Sequence, residues 1–560
     1  MKHPRRLTAG ACAALAGLVL AACSPPAAAP AKKPRAGHVL GPEQQPSLVQ
    51  AIARGRDLGA VPSSTQLSFE LGLRQRDQAG LDASLASGRR LSQAEYAVRF
   101  GPDPVAVDAA RAMLDAAGIS TTWSPSDTLL RARGPVAAIQ RVFAVSVHAY
   151  VGPGGVHFHA PQQQVRVPAV LGSVVTSVTG LDDYPAKQIS ALRSSNGVSP
   201  RDMLSFYNVT PLRDAHLDGS GATVVFIEID KFDQRMLDAY ASKFGLPRFD
   251  VTVKQDAAWG NPNSDSGEAD LDLEIVHAMA PAAKLVVYYA SPRGTKVDIA
   301  QQAAFNDFPN GAIMSESLGT CETPDEQQES SLVNDSTAKA AAQGWSVFVS
   351  TGDRGAFGCT PDGDFNTLST NVLSGVPNVT AVGGTYVLLS SNGSYFKEAA
   401  WGEPVEQWGS GGAPSLFWPL PSWQVAPGAH NQYSNGKRQN PDVSANADGE
   451  SGWDVFAGGS EQPVGGTSAA APFWAGITAL IDQDLAAKSL RSVGFANPAL
   501  YLFAQNPGGL PAPPYHDVTI GTNLHYPATP GWDFATGLGT PDVGALASDF
   551  EWYARAHSNG

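Results

Sequence analysis

Between residues 40 and 182 the apolar positions recur in short stretches of both helical and strand period. Ser92-Gln93-Ala94-Glu95-Tyr96 carries a capping-box pattern, and Asp103 to Ala117 repeats its apolar positions at helical spacing. Leu129 to Arg133 and Val145 to Val151 read as strands, with a helix over Pro135 to Phe143 between them. This mixture predicts an α+β domain. Tyr184 to Gly197 is polar and aperiodic, which predicts an exposed linker open to proteolysis.

From Ser199 the pattern changes to buried-strand runs separated by helical stretches. The runs are Val224–Ile227, Lys284–Tyr289, Ala312–Ser315 and Ser346–Ser350, and the helices lie at about Gln234–Phe244, Glu268–Ala280 and Asn334–Gln343. Such alternation predicts an α/β domain with a parallel sheet covered by helices, whose site lies beyond the carboxyl ends of the strands.

The first residues follow a different rule. Lys2, Arg5 and Arg6 precede the apolar stretch Leu7 to Ala22, the pattern of an export signal and too short for a spanning helix. Leu20-Ala21-Ala22-Cys23 resembles a bacterial lipobox, which makes Cys23 a lipid anchor and the following Ala/Pro-rich stretch a tether. The expected organisation is a lipoprotein signal peptide over 1–22, a tether over 23–38, an α+β domain over 39–182, a linker over 183–198 and an α/β domain over 199–560.

Composition narrows the class. With 43% hydrophobic and 16% charged residues among 560, the chain buries large cores and is neither disordered nor a coiled coil. Residues 1–198 carry 20 Lys+Arg against 12 Asp+Glu and residues 199–560 carry 18 against 40, so the net charges are +8 and −22. That split argues against nucleic-acid binding and predicts that the two parts attract each other electrostatically, less so in acid. With Cys12 removed in the signal and Cys23 acylated, Cys321 and Cys359 remain and are expected to pair after export.

The candidate chemistry begins at Gly465-Gly466-Thr467-Ser468-Ala469-Ala470-Ala471-Pro472, followed by an apolar helix. A serine opening a buried helix after a glycine turn, with small neighbours, is placed for attack on a carbonyl. Such a serine needs a base, and the subtilisin His-Gly-Thr-His pattern is absent from the chain. Glu268-Ala269-Asp270-Leu271-Asp272-Leu273-Glu274 instead offers carboxylates four apart on one helix face, able to share a proton. Spacing leaves two pairs open, Glu268/Asp272 and Asp270/Glu274.

The Gly-Thr-Ser-Ala-x-x-Pro string, Gly267-Glu268-x-x-Leu271-Asp272 and Ser350-Thr351-Gly352-Asp353 resemble the motifs of the sedolisins, the serine-carboxyl peptidases. Further matching segments are Ser199-Pro200 to Val209, Gly411-Gly412 to Gln424, Pro441 to Asp448 and Gly531-Trp532-Asp533, so the resemblance covers most of the chain. It is strongest to the bacterial pepstatin-insensitive carboxyl proteinases. The resemblance implies a subtilisin-like catalytic domain behind a ferredoxin-like propeptide. It implies Ser468 as nucleophile, Glu268 as base, Asp272 as its partner, and Asp353 as the oxyanion donor that must be protonated to act. Glu228 matches a glutamate that extends the carboxylate chain in some members, whereas Leu318 stands where some have tryptophan. The resemblance also implies one Ca²⁺, held by the side chains of Asp517 and Asp533 and the carbonyls of Val518, Thr529 and Gly531; glycine is usual where Thr529 stands.

The expected function is an exported or lipid-anchored acid endopeptidase, made as a monomeric zymogen inhibited by its own propeptide and acting on polypeptides. The membrane contact is the lipid anchor alone, and the location is the cell envelope or, after processing, the medium. A tripeptidyl-peptidase and a catalytically silent binding lipoprotein are the alternatives.

Overall fold

The computed structural model describes residues 46–557 apart from 186–187, 190–191, 194–196 and 264–266. The export signal, Cys23 and the tether therefore lie outside the described residues, as does part of the linker. Among the described residues no helix is long and apolar enough to cross a membrane.

The N-terminal part is α+β. Gln66–Leu73 is the second-innermost strand of a four-stranded antiparallel sheet, flanked by Leu129–Pro135, with Ser120–Thr122 beyond it, and by Val175–Thr179. Its odd positions Leu67, Phe69, Leu71 and Leu73 face the helices Pro104–Ala116 and Val136–Phe143, and together they close one apolar core. Ser92 caps Gln93–Arg99 with the reciprocal Glu95 contact that the pattern predicts. Glu70 points to the opposite side, where it is buried and accepts a hydrogen bond from Thr295 of the C-terminal part.

The C-terminal part is built on an eight-stranded sheet. Val251–Lys254, Lys284–Tyr289, Thr223–Glu228, Ile313–Glu316, Ser346–Ser350 and Thr380–Leu389 run parallel in that order, and Val443–Asn446 adds to the last in parallel. The expected runs are all present: Lys284–Tyr289 and Ser346–Ser350 keep their bounds, Val224–Ile227 gains a residue at each end, and Ala312–Ser315 shifts by one residue to Ile313–Glu316. Helices Glu268–Met279 and Thr467–Ala487 pack against each other on one face of the sheet, and Lys296–Asp307 and Gln327–Ala342 cover the other. The two helices on the first face approach closely at Gly476, where a Cβ would lie only 2.8 Å from Met279 Cβ. Cys321 and Cys359 are disulfide-bonded, with Cα atoms 5.0 Å apart, just beyond the short strand Leu318–Gly319.

Specific polar contacts join the two parts, beside an apolar cluster in which Leu81, Leu85 and Tyr96 meet Ala338 and Ala341. Arg90 Nη1 donates to Ser492 Oγ at 2.8 Å, Gln75 to the Asp335 carbonyl at 2.6 Å, Thr128 to Gln302 at 3.0 Å and Asn306 to Asp127 at 2.8 Å. Burial raises Glu70 to about 7. A carboxyl whose proton affinity rises on docking favours the docked state fully below its ordinary value, and that contribution is lost as pH rises through about 7. Glu70 by itself thus favours the docked state in acid, a contribution opposite in sign to the one expected from net charge.

The linker expectation also changes. Tyr184 is buried against Phe158, their ring centroids 4.9 Å apart, and Val198 is buried at the other end. The described backbone between them is paired, as set out below.

Because Gly476 sets the approach of the two helices, Gly476→Val should destabilise the fold by about 1–3 kcal/mol. Denaturant unfolding of the Ser468→Ala protein with and without the change measures this, and an unchanged midpoint would contradict the close packing.

Candidate active site

All twelve side chains of the helix Glu268–Met279 are buried, so its acidic start is not a solvated face. Gly267, at φ 92°, supplies no side-chain cap. Asp230, two residues past the strand Thr223–Glu228, does so instead: its Oδ2 accepts from the Glu268 N–H at 3.1 Å and its Oδ1 from the Ala269 N–H at 3.2 Å.

Helix phase separates the two carboxylate pairs. Asp272 Oδ1 accepts from Ser317 Oγ at 2.9 Å, and that hydroxyl also lies 3.3 Å from the Ser468 carbonyl, so Glu268 and Asp272 face the serine. Asp270 and Glu274 turn away and hold backbone: Asp270 accepts from Asp233 N–H and Glu274 from Phe456 N–H, each at 2.7 Å. Phe456 belongs to the hairpin Trp453–Ala457/Ser460–Gly465 that delivers the chain to Ser468. The second pair is thus structural, and it steadies the approach to the first.

Ser468 is the second residue of the helix Thr467–Ala487, entered through Gly466 at φ 109°, a conformation side chains resist. Pro472 sits in the second turn and has no N–H for the Ser468 carbonyl four residues back. The Ser317 hydroxyl reaches that carbonyl instead. Thr467 binds the loop after the strand Ser346–Ser350: its N–H and its Oγ1 each lie 2.8 Å from Asp353 Oδ1, and Oγ1 accepts from the Gly352 N–H at 3.0 Å. Asp353 Oδ2 is buried with no hydrogen-bond partner. The arrangement thus fixes one oxygen of Asp353 and leaves the other to carry a proton.

Burial raises Glu268 well above the ordinary carboxyl range, the neighbouring Asp272 charge adds to it, and the Ser468 hydroxyl opposes it. Burial likewise raises Asp272, against the Ser317 hydrogen bond, and raises Glu228, with Asp272 the foremost neighbouring charge. Asp353 is raised to about 7 by burial, opposed by the hydrogen bonds from Thr467. Ser468 Oγ and both Glu268 oxygens have no closed hydrogen bond among the described residues, yet the hydroxyl is near enough to favour the Glu268 carboxylate. A slightly open contact of this kind is common before substrate arrives.

Two short backbone pairings flank this centre. Gln188 and Ile189 pair antiparallel with Gly319 and Leu318, next to Ser317, and Leu192 and Arg193 pair antiparallel with Gly465 and Val464, just before Ser468. The chain's own linker therefore pairs on both sides of the serine.

The residues expected to hold Ca²⁺ are brought together in a C-terminal loop. Asp517 Oδ2 accepts from Gly531 N–H at 3.0 Å, and Asp533 Oδ2 accepts from Thr529 N–H at 2.7 Å. Asp533 is buried and raised to about 7 by that burial, which a cation beside it would reverse. Among the described residues no group of three or more His, Cys, Asp or Glu could hold a metal. Two carboxylates with loop carbonyls are a hard-oxygen donor set that fits calcium without such a cluster.

Three residues were not singled out by the sequence reading: Asp230, Ser317 and Thr467. Thr467 and Ser317 stand inside or beside quoted motifs, whereas Asp230 acts on a helix that begins 38 residues later, and no local pattern announces it.

Comparison with known proteins places the whole chain. Residues 53–184 match the activation domain of pro-kumamolisin and residues 257–494 match the subtilase family. The chain is 33% identical over 441 residues to kumamolisin of Bacillus sp. (strain MN-32), covering 73% of this chain and 76% of that one. It is 26% identical to tripeptidyl-peptidase 1 of Canis lupus familiaris, covering 90% and 94%. A solved structure of Pseudomonas sedolisin, a serine-carboxyl proteinase complexed with two molecules of pseudo-iodotyrostatin, superposes with a TM-score of 0.55 at 29% identity, over 65% of this chain and 99% of that one. An activation domain ahead of a subtilisin-like domain, and identity to kumamolisin at a third of the aligned residues, establish that the chain belongs to the sedolisin family of serine-type peptidases and carries its own inhibitory propeptide.

Proposed function

We propose that the chain is an exported, acid-acting endopeptidase that processes itself. Ser468 Oγ attacks the scissile carbonyl as Glu268 takes the hydroxyl proton, and Asp272, steadied by Ser317, shares that proton. The protonated Oδ2 of Asp353 donates to the oxyanion. Glu268 then returns the proton to the leaving amine, and water, activated by the same carboxylate, releases the acyl group. The observation that carries this reading is the burial of Glu268, Asp272 and Asp353 around one serine, which favours proton-sharing carboxyls over a histidine base.

The linker supports endopeptidase action. Its backbone enters along Leu318–Gly319 and leaves along Val464–Gly465, with chain continuing in both directions, so the cleft admits an internal segment. The similarity to tripeptidyl-peptidase 1 favours the second reading, release of tripeptides, and the products from a single long peptide discriminate between the two. Binding without turnover is disfavoured by the retention of all four chemical positions. Export and anchoring rest on the charged and apolar start and on the lipobox-like Leu20–Cys23. Ca²⁺ would be held by Asp517 and Asp533 with the carbonyls of Val518, Thr529 and Gly531, and would cross-link the loop by its charge.

Purified Cys23→Ser protein should shorten itself in acid, and Ser468→Ala should remain full length. The new N-terminus, read by Edman sequencing, should fall after Ile189 and no later than Leu192. Activity on a peptide should vanish as pH rises through about 7, because ionised Asp353 cannot donate. Turnover at pH 8 with none in acid would contradict the mechanism.

Chelation should lower the Tm of the Ser468→Ala protein, and Asp533→Ala should abolish that response. Equal melting with and without Ca²⁺ in the unsubstituted loop would contradict the calcium assignment.

A further inference from the structure

We infer that Asp230 is a positioning residue for the catalytic pair, fixing Glu268 by capping its helix and supplying the negative charge that keeps a proton on Glu268 and Asp272. The inference rests on the proton-sharing reading given above and extends it to a residue outside the serine-facing set.

The geometry gives both parts of the role. Asp230 is 1% exposed, and each of its oxygens accepts one N–H of the first turn, the Glu268 N–H among them. Gly267 offers that turn no side chain, so the cap comes from a separate strand end and ties the helix start to the sheet. A carboxylate that accepts from two helix N–H groups is favoured as the anion by those bonds and by the helix dipole. Burial keeps the resulting charge unscreened, so it acts on whatever titrates beside it.

Among the described groups that face it are several acids and hydroxyls. From the capped helix come Glu268 and Asp272 on the serine side and Asp270 on the other. Glu228 ends the same strand, and Tyr289 ends its neighbour. Asp353, Ser317 and Ser468 close the far side of the catalytic pair. The Asp230 charge raises the proton affinity of Glu228, Glu268 and Asp272 alike, and its effect on Tyr289 has the same sign. Asp353 draws its shift from burial and is not among the groups that Asp230 moves.

The two limbs of the activity profile should therefore respond differently to loss of this charge. Asp230→Asn keeps an acceptor oxygen on the helix but removes the charge, so Glu268 and Asp272 lose their protons at lower pH. The acid limb of kcat/KM for a quenched peptide, measured on full-length protein processed in acid, should move down by about one pH unit. The alkaline limb, set by Asp353, should stay. At a pH on the original acid limb the variant should then retain up to roughly tenfold more of its maximal kcat/KM than the unsubstituted enzyme. Both limbs unmoved, with only a lower Tm, would reduce Asp230 to a helix cap and overturn the inference. Should Asp230→Asn not accumulate in folded form, Asp230→Glu keeps the charge while displacing its oxygens: a lowered kcat with an unmoved profile is expected, and a moved acid limb overturns the assignment. Absence of activity in the unsubstituted protein would instead strike the proposed function, so the two failures are distinguishable.

Discussion

The structure depends on keeping several carboxyl groups dry beside one serine. Glu228, Asp230, Glu268, Asp272 and Asp353 are each at most 1% exposed. In water each would ionise near pH 4 and their charges would repel; buried, Glu228, Glu268, Asp272 and Asp353 hold protons above the ordinary carboxyl range instead. The guanidinium beside Asp353, that of Arg354, stacks over Trp408 with its carbon 3.6 Å from the ring centroid, and it lowers Asp353 less than burial raises it. A proton-sharing site of this kind needs a tight enclosure. The Asp230 cap and the Thr467 clamp on Asp353 close the site itself, and the contact at Gly476 holds the two helices that carry Glu268 and Ser468 together further along.

The activation domain extends that enclosure. Its sheet turns Phe69 and its neighbours toward its own helices and Glu70 toward Thr295, so one strand serves both its own core and the interface. The linker then pairs with the backbone on either side of Ser468, in the manner of a strand added to an exposed edge. Inhibition by the propeptide follows from this geometry, since a segment lying along both edges excludes other chains from them. The disulfide from Cys321, two residues beyond Gly319, anchors one of those edges.

Much of the fold was legible because buried parallel strands write themselves as apolar runs, as Val224–Ile227 and Ser346–Ser350 do. Thr380–Leu389 was not, since Gly383 and Gly384 in its middle read as a break. Those glycines are there because neighbours approach closely: a Cβ on Gly384 would meet Ala447 Cβ at 2.5 Å. Gln66–Leu73 was hidden by Glu70, a charge whose burial depends on Thr295, 225 residues away. The serine was marked by its glycine turn, whereas the choice between carboxylate pairs depended on which helix face meets Ser317. Spacing alone cannot supply that, and the same holds for Asp230 and for the linker pairings, which join residues distant in sequence.

The central claim is that these carboxyls keep protons well above the ordinary carboxyl range. Infrared titration of the folded Ser468→Ala protein, following the carbonyl band of protonated carboxyl groups, tests it without any need for turnover. At about pH 6, where exposed carboxyls are ionised, a residual band should remain. It should shrink further in each of the proteins carrying Glu268→Gln or Asp353→Asn in addition. A band that disappears completely by about pH 5 in the Ser468→Ala protein would show that the carboxyls ionise in the ordinary way, and would contradict the account.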